Sequence, residues 1–448
     1  MKPTTVPLQT KRLVAALCGA LSLSGAAAVH AATVAVTSCA DDGSPESLRG
    51  AVARAASGDV IDLSELDCSP SGITLTQGEI VVPHNATIVG PAHHTLTVSG
   101  VNARVFDSTS DDSPEAYLTI VNLTVAGGHI YASADGAYGG CIRAQGEVDL
   151  IGSTISHCVA NTMSGIAQGG AVSAATVALT NSVLNANAAI AQGPWGAAQG
   201  GAVFANELNC SNSTISGNMA SVLPQSNSFG GGAWVGENLT LSRCTIDSNS
   251  ASIGGGVAKF EARHSQGSTH VEDSTISGNI ALNQSGGIYV FCAECLPATV
   301  NVYNSTIAFN SAGGGYGVGL ATNGAVVAQS TIVSNNFSNQ AEQYVELYAG
   351  DLSGADNLVR STNATPLPGV ITVLDDPVLL PLAFNGGTTR THALVFNSPA
   401  RYQGNNVEGH DSDQRGNGYS RYCEGMVDIG AFQTQQALDH IMSSSFED

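Results

Sequence analysis

The chain has 448 residues, of which 36 are acidic and 15 basic, giving a formal net charge of −21. That balance disfavours nucleic acid and anionic membrane surfaces as partners, and it suits polyanionic sugars badly unless calcium intervenes. Only 11 % of the residues are charged while 52 are glycine, which describes a folded, loop-rich exterior and excludes a charged, disordered chain.

In chain order, residues 1–31 read as a secretory signal. Lys11-Arg12 precede an apolar run from Leu13 to Val29, and cleavage is expected near Ala31 or Ala32. Losing Lys2, Lys11 and Arg12 leaves 15 − 3 = 12 basic residues, so the mature charge is 12 − 36 = −24, and Lys259 is the one lysine left. An exported protein follows, extracellular or outer-membrane-associated in a Gram-negative bacterium, with no transmembrane segment in the mature chain. Ten cysteines less Cys18 leave nine, which outside the cytosol read as disulfides with one left over. Cys39 and Cys68 are the natural first pair. Cys141 with Cys158, and Cys210 with Cys244, are placed to bridge within or between repeats. Cys292 and Cys295 suit a local loop disulfide better than half of a zinc site, since no second pair matches them.

Residues 32–72 form a cap. Leu48, Val52 and Ala55-Ala56 fall at helical spacing within ESLRGAVARAASGDVIDL, with Arg49 and Arg54 expected to face solvent. Asp59 and Asp62 flank a turn. A cap is required because the first turn of a stacked sheet would otherwise expose a strand edge.

Residues 73–384 repeat themselves. The stretch GGAVFANELNCSNSTISGNMA (200–220) is written six or seven times. Its isoleucine position reads Ile155, Leu184, Ile215, Ile246, Ile276, Ile307 and Ile332; its asparagine position reads Cys158, Asn187, Asn218, Asn249, Asn279, Asn310 and Asn335. A period near 30 held over this span means a solenoid. Its apolar segments are short, β-branched and punctuated by Gly, Asn and Ser, so the repeating unit is strands and turns. Stacking the units gives parallel strands about 4.8 Å apart and one internal column of isoleucine side chains. Glycine pairs supply left-handed corners, the asparagine is a second candidate for them, and an asparagine in every coil forms a ladder. The fold class is all-β, a parallel β-helix.

The GG-[AI]-x and x-x-N pattern from Gly139 to Asn335 resembles the repeats of polymorphic outer membrane proteins, which implies a right-handed helix. The helix-and-strand opening resembles the cap of many secreted bacterial β-helix proteins. Residues 385–436, carrying NGG (385–387), THAL (391–394), SPA (398–400), DQRG (413–416) and DIGAF (428–432), resemble the choice-of-anchor Q domain family. Gln433 and Arg401-Tyr402 depart from that family's acidic positions. His392, Asp411, Asp413, Arg415 and Asp428 are expected to make a salt-bridged closure over the last coil rather than a metal or acid–base cluster. Residues 437–448 are a tail.

Loops carry the candidate sites. Two insertions on adjacent coils hold Lys259, Glu261, Arg263 and His264 in one case and Cys292 and Cys295 in the other. If the protein is an enzyme, the first insertion with Asp247 and Asp273 is the candidate catalytic site, for a polysaccharide lyase or hydrolase of the pectate lyase-like class, with calcium a possible cofactor of a lyase. No metal ligand set and no other cofactor is read from the sequence. The loops 161–168, 190–199 and 221–229 are free of charge and present Met163, Trp195, Leu223 and Phe229, an apolar–polar wall suited to a sugar face or a partner protein. The strands offer Asp149, Asp247, Glu272 and Asp273 on separate coils, without the paired carboxylates that glycoside hydrolysis needs. A non-catalytic adhesive or structural surface protein, binding polysaccharide, cell-surface glycan or another surface protein, is therefore the leading expectation.

Overall fold

A computed structural model describes residues 31–109, 116–134, 136–193, 195–223, 228–261, 267–292, 299–314, 316–340, 344–364 and 376–435. The expected signal and tail lie outside the described residues, as do Arg263, His264 and Cys295. The described strands form three sheets of 20, 12 and 11 strands, wound as a right-handed parallel β-helix of about ten turns. We call them the front, back and flank sheets. One coil shows the order: Val203–Ser211 in the front sheet, Thr214–Ser216 in the flank sheet, then Met219–Val222 and Ser228–Phe229 in the back sheet.

The corners explain the repeat. Gly200 opens the glycine pair at φ +69°, which a side chain rarely adopts. Gly201 has ordinary φ but no room, since a Cβ there would lie 2.1 Å from the Gly231 carbonyl oxygen. At the next corner the left-handed residues are Asn181, Asn212, Arg243, Asp273, Asn304, Ser330 and Asp356. The ladder asparagines do not take that conformation. The residues before them do, at Ala186, Gly217, Ser248, Gly278, Phe309 and Asn335. Asn335 is thus the corner, and the last rung of the ladder is its neighbour Asn336. The slip has one cause: Ile307 pairs with Val333, not Ile332, so the inner column runs Ile155, Leu184, Ile215, Ile246, Ile276, Ile307, Val333. All seven are buried, and full burial of such a side chain is worth roughly 1.5–3 kcal/mol. A second ladder, unread in the sequence, hangs on small hydroxyls: Ser153 N–H donates to Ser182 Oγ, Ser182 N–H to Ser213 Oγ, and Ser274 N–H to Ser305 Oγ.

The helix Leu48–Arg54 caps the first coil, its N–H at Gly50 bonded to the Ser47 hydroxyl. Arg49 does not face solvent as expected. Its guanidinium binds Asp41 at 2.7 Å and the carbonyls of Gly78 and Glu79, stapling the cap to the first coils. Arg54 is exposed, as expected, and donates to the carbonyls of Pro45 and Ala35. Disulfides join Cys39–Cys68, Cys141–Cys158 and Cys210–Cys244; Cys292 is also disulfide-bonded, and Cys423 is a free, buried thiol.

The C-terminal segment, residues 376–435, lies along the flank sheet rather than over the last coil. Thr245 donates to the Arg390 carbonyl, Thr275 to Gln414 Oε1, Ser277 Oγ meets His392 Nε2 at 2.8 Å, and Ala431 N–H donates to Thr306 Oγ1. Ile332 and Leu358 face outward here and pack against Leu394, Ala400, Ile429 and Phe432. The expected salt bridge is present: Arg415 binds Asp413 at 2.7 Å, both buried. The segment thereby covers the flank sheet's outward Thr245, Thr275, Thr306 and Ile332.

Candidate functional site

Of the inferred catalytic residues, Lys259 and Glu261 meet inside the solenoid while Asp247 and Asp273 stand apart from them on the flank; Arg263 and His264 lie outside the described residues. Lys259 pairs in register with Val235 and Val290, both core residues, so strand alternation turns it into the solenoid interior. Its ammonium sits 2.5 Å from Glu261 and both side chains are fully shielded from solvent. Burial pushes the Lys259 pKa down, and the Glu261 hydrogen bond partly restores it. A polymer cannot reach this pair. Asp247 and Asp273 face the flank and are taken by the C-terminal segment. Arg390 binds Asp247 at 2.5 Å, where burial nonetheless lifts the carboxyl above its usual range, and His410 Nδ1 lies 2.5 Å from Asp273.

The apolar wall is split in a similar way. Trp195 is 94 % exposed, and Met163 and Leu223 are exposed as well. Phe229 belongs elsewhere: its ring meets the edge of Phe260 at 5.0 Å, and Phe260 continues to Tyr289 at 5.7 Å. That contact leads to the outer face of the front sheet.

One outward column of this face, read coil by coil, is Arg143, Ser173, Phe204, Trp234, Ala258, Tyr289, Ala321, Tyr348. Phe204 and Trp234 stack at 4.5 Å with planes 11° apart. Tyr289 stacks on Phe291 of its own strand at 5.9 Å, and Tyr316 meets Tyr348 edge-on at 5.8 Å. From Trp234 onward aromatic rings and alanines alternate, and a pocket of about 280 Å³ opens over Ala321, walled by the Tyr289–Phe291 and Tyr316–Tyr348 pairs. Gln284 and Asn323 supply amides at its rim. The Asn323 side chain is itself fixed, accepting from the Cys292 N–H at 3.1 Å and donating back to its carbonyl at 2.6 Å. The sequence signal was the aromatic that follows the apolar residue after the glycines, as in GAW (232–234) and GIY (287–289).

Beside this column stands a pair of carboxylates that the sequence reading left unpaired. Glu147 and Asp149 are two apart on the strand Glu147–Ile151 and face the same side. The Glu147 carboxyl is held above its usual range, by desolvation first and then by Asp149 and Glu207. Glu207 accepts from Asn238 at 3.0 Å. Among the described residues no group of His, Cys, Asp and Glu is arranged to hold a metal ion.

The chain matches no protein-family model, no curated protein and no solved structure.

Proposed function

We propose that this is a non-catalytic, surface-exposed β-helix protein that binds glycan on the outer face of its front sheet. The observation that carries this reading is the aromatic column Phe204, Trp234, Tyr289, Tyr348, laid along the solenoid on the outer face of the front sheet with each ring partly exposed. Such rings offer large, rigid apolar area at little entropic cost, and tyrosine adds a hydroxyl that can hydrogen-bond. Buried apolar residues already fill the interior, so these rings are not needed to complete the core. Disulfides suit a location outside the cytosol, and no described helix is long and apolar enough to cross a membrane. Export by the N-terminal signal, association with the outer membrane, and membership of the choice-of-anchor Q family belong to the same proposal. Binding of the mature protein to immobilised polysaccharides tests it: Trp234→Ala should weaken retention, whereas retention lost only in Trp195→Ala would return the site to the loop wall.

A second reading, a glycoside hydrolase, is favoured by one observation: Glu147 and Asp149 share a face and Glu147 holds its proton above the usual range, as a general acid must. Turnover of any polysaccharide that disappears in Glu147→Gln would establish it. A lyase acting on uronates has weaker support, since Lys259 is sealed in the core.

A further inference from the structure

We propose that the pocket over Ala321 is a subsite for one uncharged pyranose ring of a linear glycan, sandwiched between the Tyr289–Phe291 wall and the Tyr316–Tyr348 wall. This rests on the glycan-binding reading above and adds to it a place and a ligand class.

Three observations converge. The first is spacing. Tyr289 and Tyr348 stand in one ladder column with Ala321 between them, so they are two coils apart, about 9.6 Å at the rise of a parallel sheet. That distance leaves room for one ring in van der Waals contact with both sides, each contact at roughly 3.5–4.0 Å. Alanine is the residue that keeps the space open, and a larger side chain at Ala321 would fill it.

The second is chemistry. The rings give apolar faces of the kind that pack on the C–H faces of a pyranose, while Gln284, Asn323 and the tyrosine hydroxyls can reach its hydroxyl groups. None of the described lining residues is charged. A uronate would place its carboxylate here without a counter-charge, at the cost of desolvation. The third is direction. The column continues through Trp234 and Phe204, so a chain entering the pocket runs along the solenoid axis and meets further rings at the same side.

Isothermal titration of the mature protein tests this with hexasaccharides of glucose, xylose, mannose and N-acetylglucosamine, against hexagalacturonate. The expected result is binding to at least one uncharged hexasaccharide, weakened about tenfold or more, or about 1.4 kcal/mol, in both Ala321→Trp and Tyr289→Ala. Thermal melts of both variants check that the fold is kept. Wild-type binding that neither variant changes would overturn the subsite and leave glycan binding standing. Preference for hexagalacturonate would overturn the uncharged class. No binding by any saccharide to the folded wild type would overturn the subsite and the glycan reading together.

Discussion

Truncating one rung of the asparagine ladder, Asn249→Ala, isolates what holds neighbouring coils together at that corner. Asn249 Oδ1 accepts from the Asn218 backbone N–H and side-chain Nδ2, each at 2.9 Å. Its own Nδ2 donates to the Ile215 carbonyl at 2.9 Å and to Asn279 Oδ1 at 3.0 Å. Alanine keeps the backbone bond to Asn279 and loses those four. At about 1 kcal/mol net for each neutral bond, the loss is about 4 kcal/mol, rising to about 6 if the two Asn218 donors are stranded dry. The first rung provides an internal scale. Asn187 Oδ1 accepts only from Cys158 N–H, because the preceding coil has cysteine at that position, so Asn187→Ala loses three bonds. Urea melts followed by circular dichroism should show Asn249→Ala as the more destabilised of the two, with unchanged slope. A loss under about 1 kcal/mol at Asn249 would mean that water replaces the ladder at little cost, and the reasoning would fail.

Three further outcomes follow from the same geometry. His410 sits between Asp273 and Glu272, with Arg421 and Glu408 nearby, and Glu272 also meets His270 at 3.0 Å. The Asp273 hydrogen bond raises the His410 pKa, so its contribution is full below the ordinary histidine range and is lost as pH rises through the raised value. Glu272, lowered to about 2 chiefly by the His270 hydrogen bond, acts oppositely and loses its contribution only as pH falls toward 2. Amide protection factors over residues 404–421, corrected for the intrinsic base catalysis of exchange, should therefore fall on the alkaline side in wild type, and this fall should vanish in His410→Gln. Lys259→Met removes the ammonium from an ion pair enclosed in the solenoid and should cost about 1.5–3 kcal/mol in a denaturant melt, the worth of a hydrogen bond between charged groups; stability at or above wild type would contradict the pairing. Gly201→Ala, at an allowed φ, should destabilise by clashing with the Gly231 carbonyl, and a melting temperature at or above wild type would contradict the packing.

The fold was legible because its signal repeats. Ile155 through Ile307 hold phase for six coils, and a single misreading cannot shift them all. Phase slipped only at the last coil, where Ile332 and Val333 are both β-branched and Asn335 and Asn336 are adjacent, so either register satisfies the pattern. The C-terminal segment, covering the flank, then selects Ile332 for the outside. The site was less legible for a different reason. The sequence assigns Lys259 to a loop insertion, although it shares strand parity with Val257, which is core. Parity is the better guide there, and a solenoid core can hold an ion pair when both partners are enclosed. The aromatic column was invisible to a scan for motifs, since Phe204, Trp234, Tyr289 and Tyr348 become neighbours only after the coils are aligned.

The C-terminal segment changes how the solenoid comes apart. A stack whose coils touch only their neighbours melts piecemeal from its ends. Here Arg390 reaches Ser216 and Asp247, Gln414 reaches Thr245 and Thr275, Arg421 reaches Asn304, and Asn405 reaches Ser330 and Asp356. One strap thus ties residues 216 through 356 into a single cooperative block. The coils of Thr124, Thr154 and Val183 lie outside it, with Val183 exposed at 37 %. The helix is therefore expected to melt in two steps, with the seam between Val183 and Thr214.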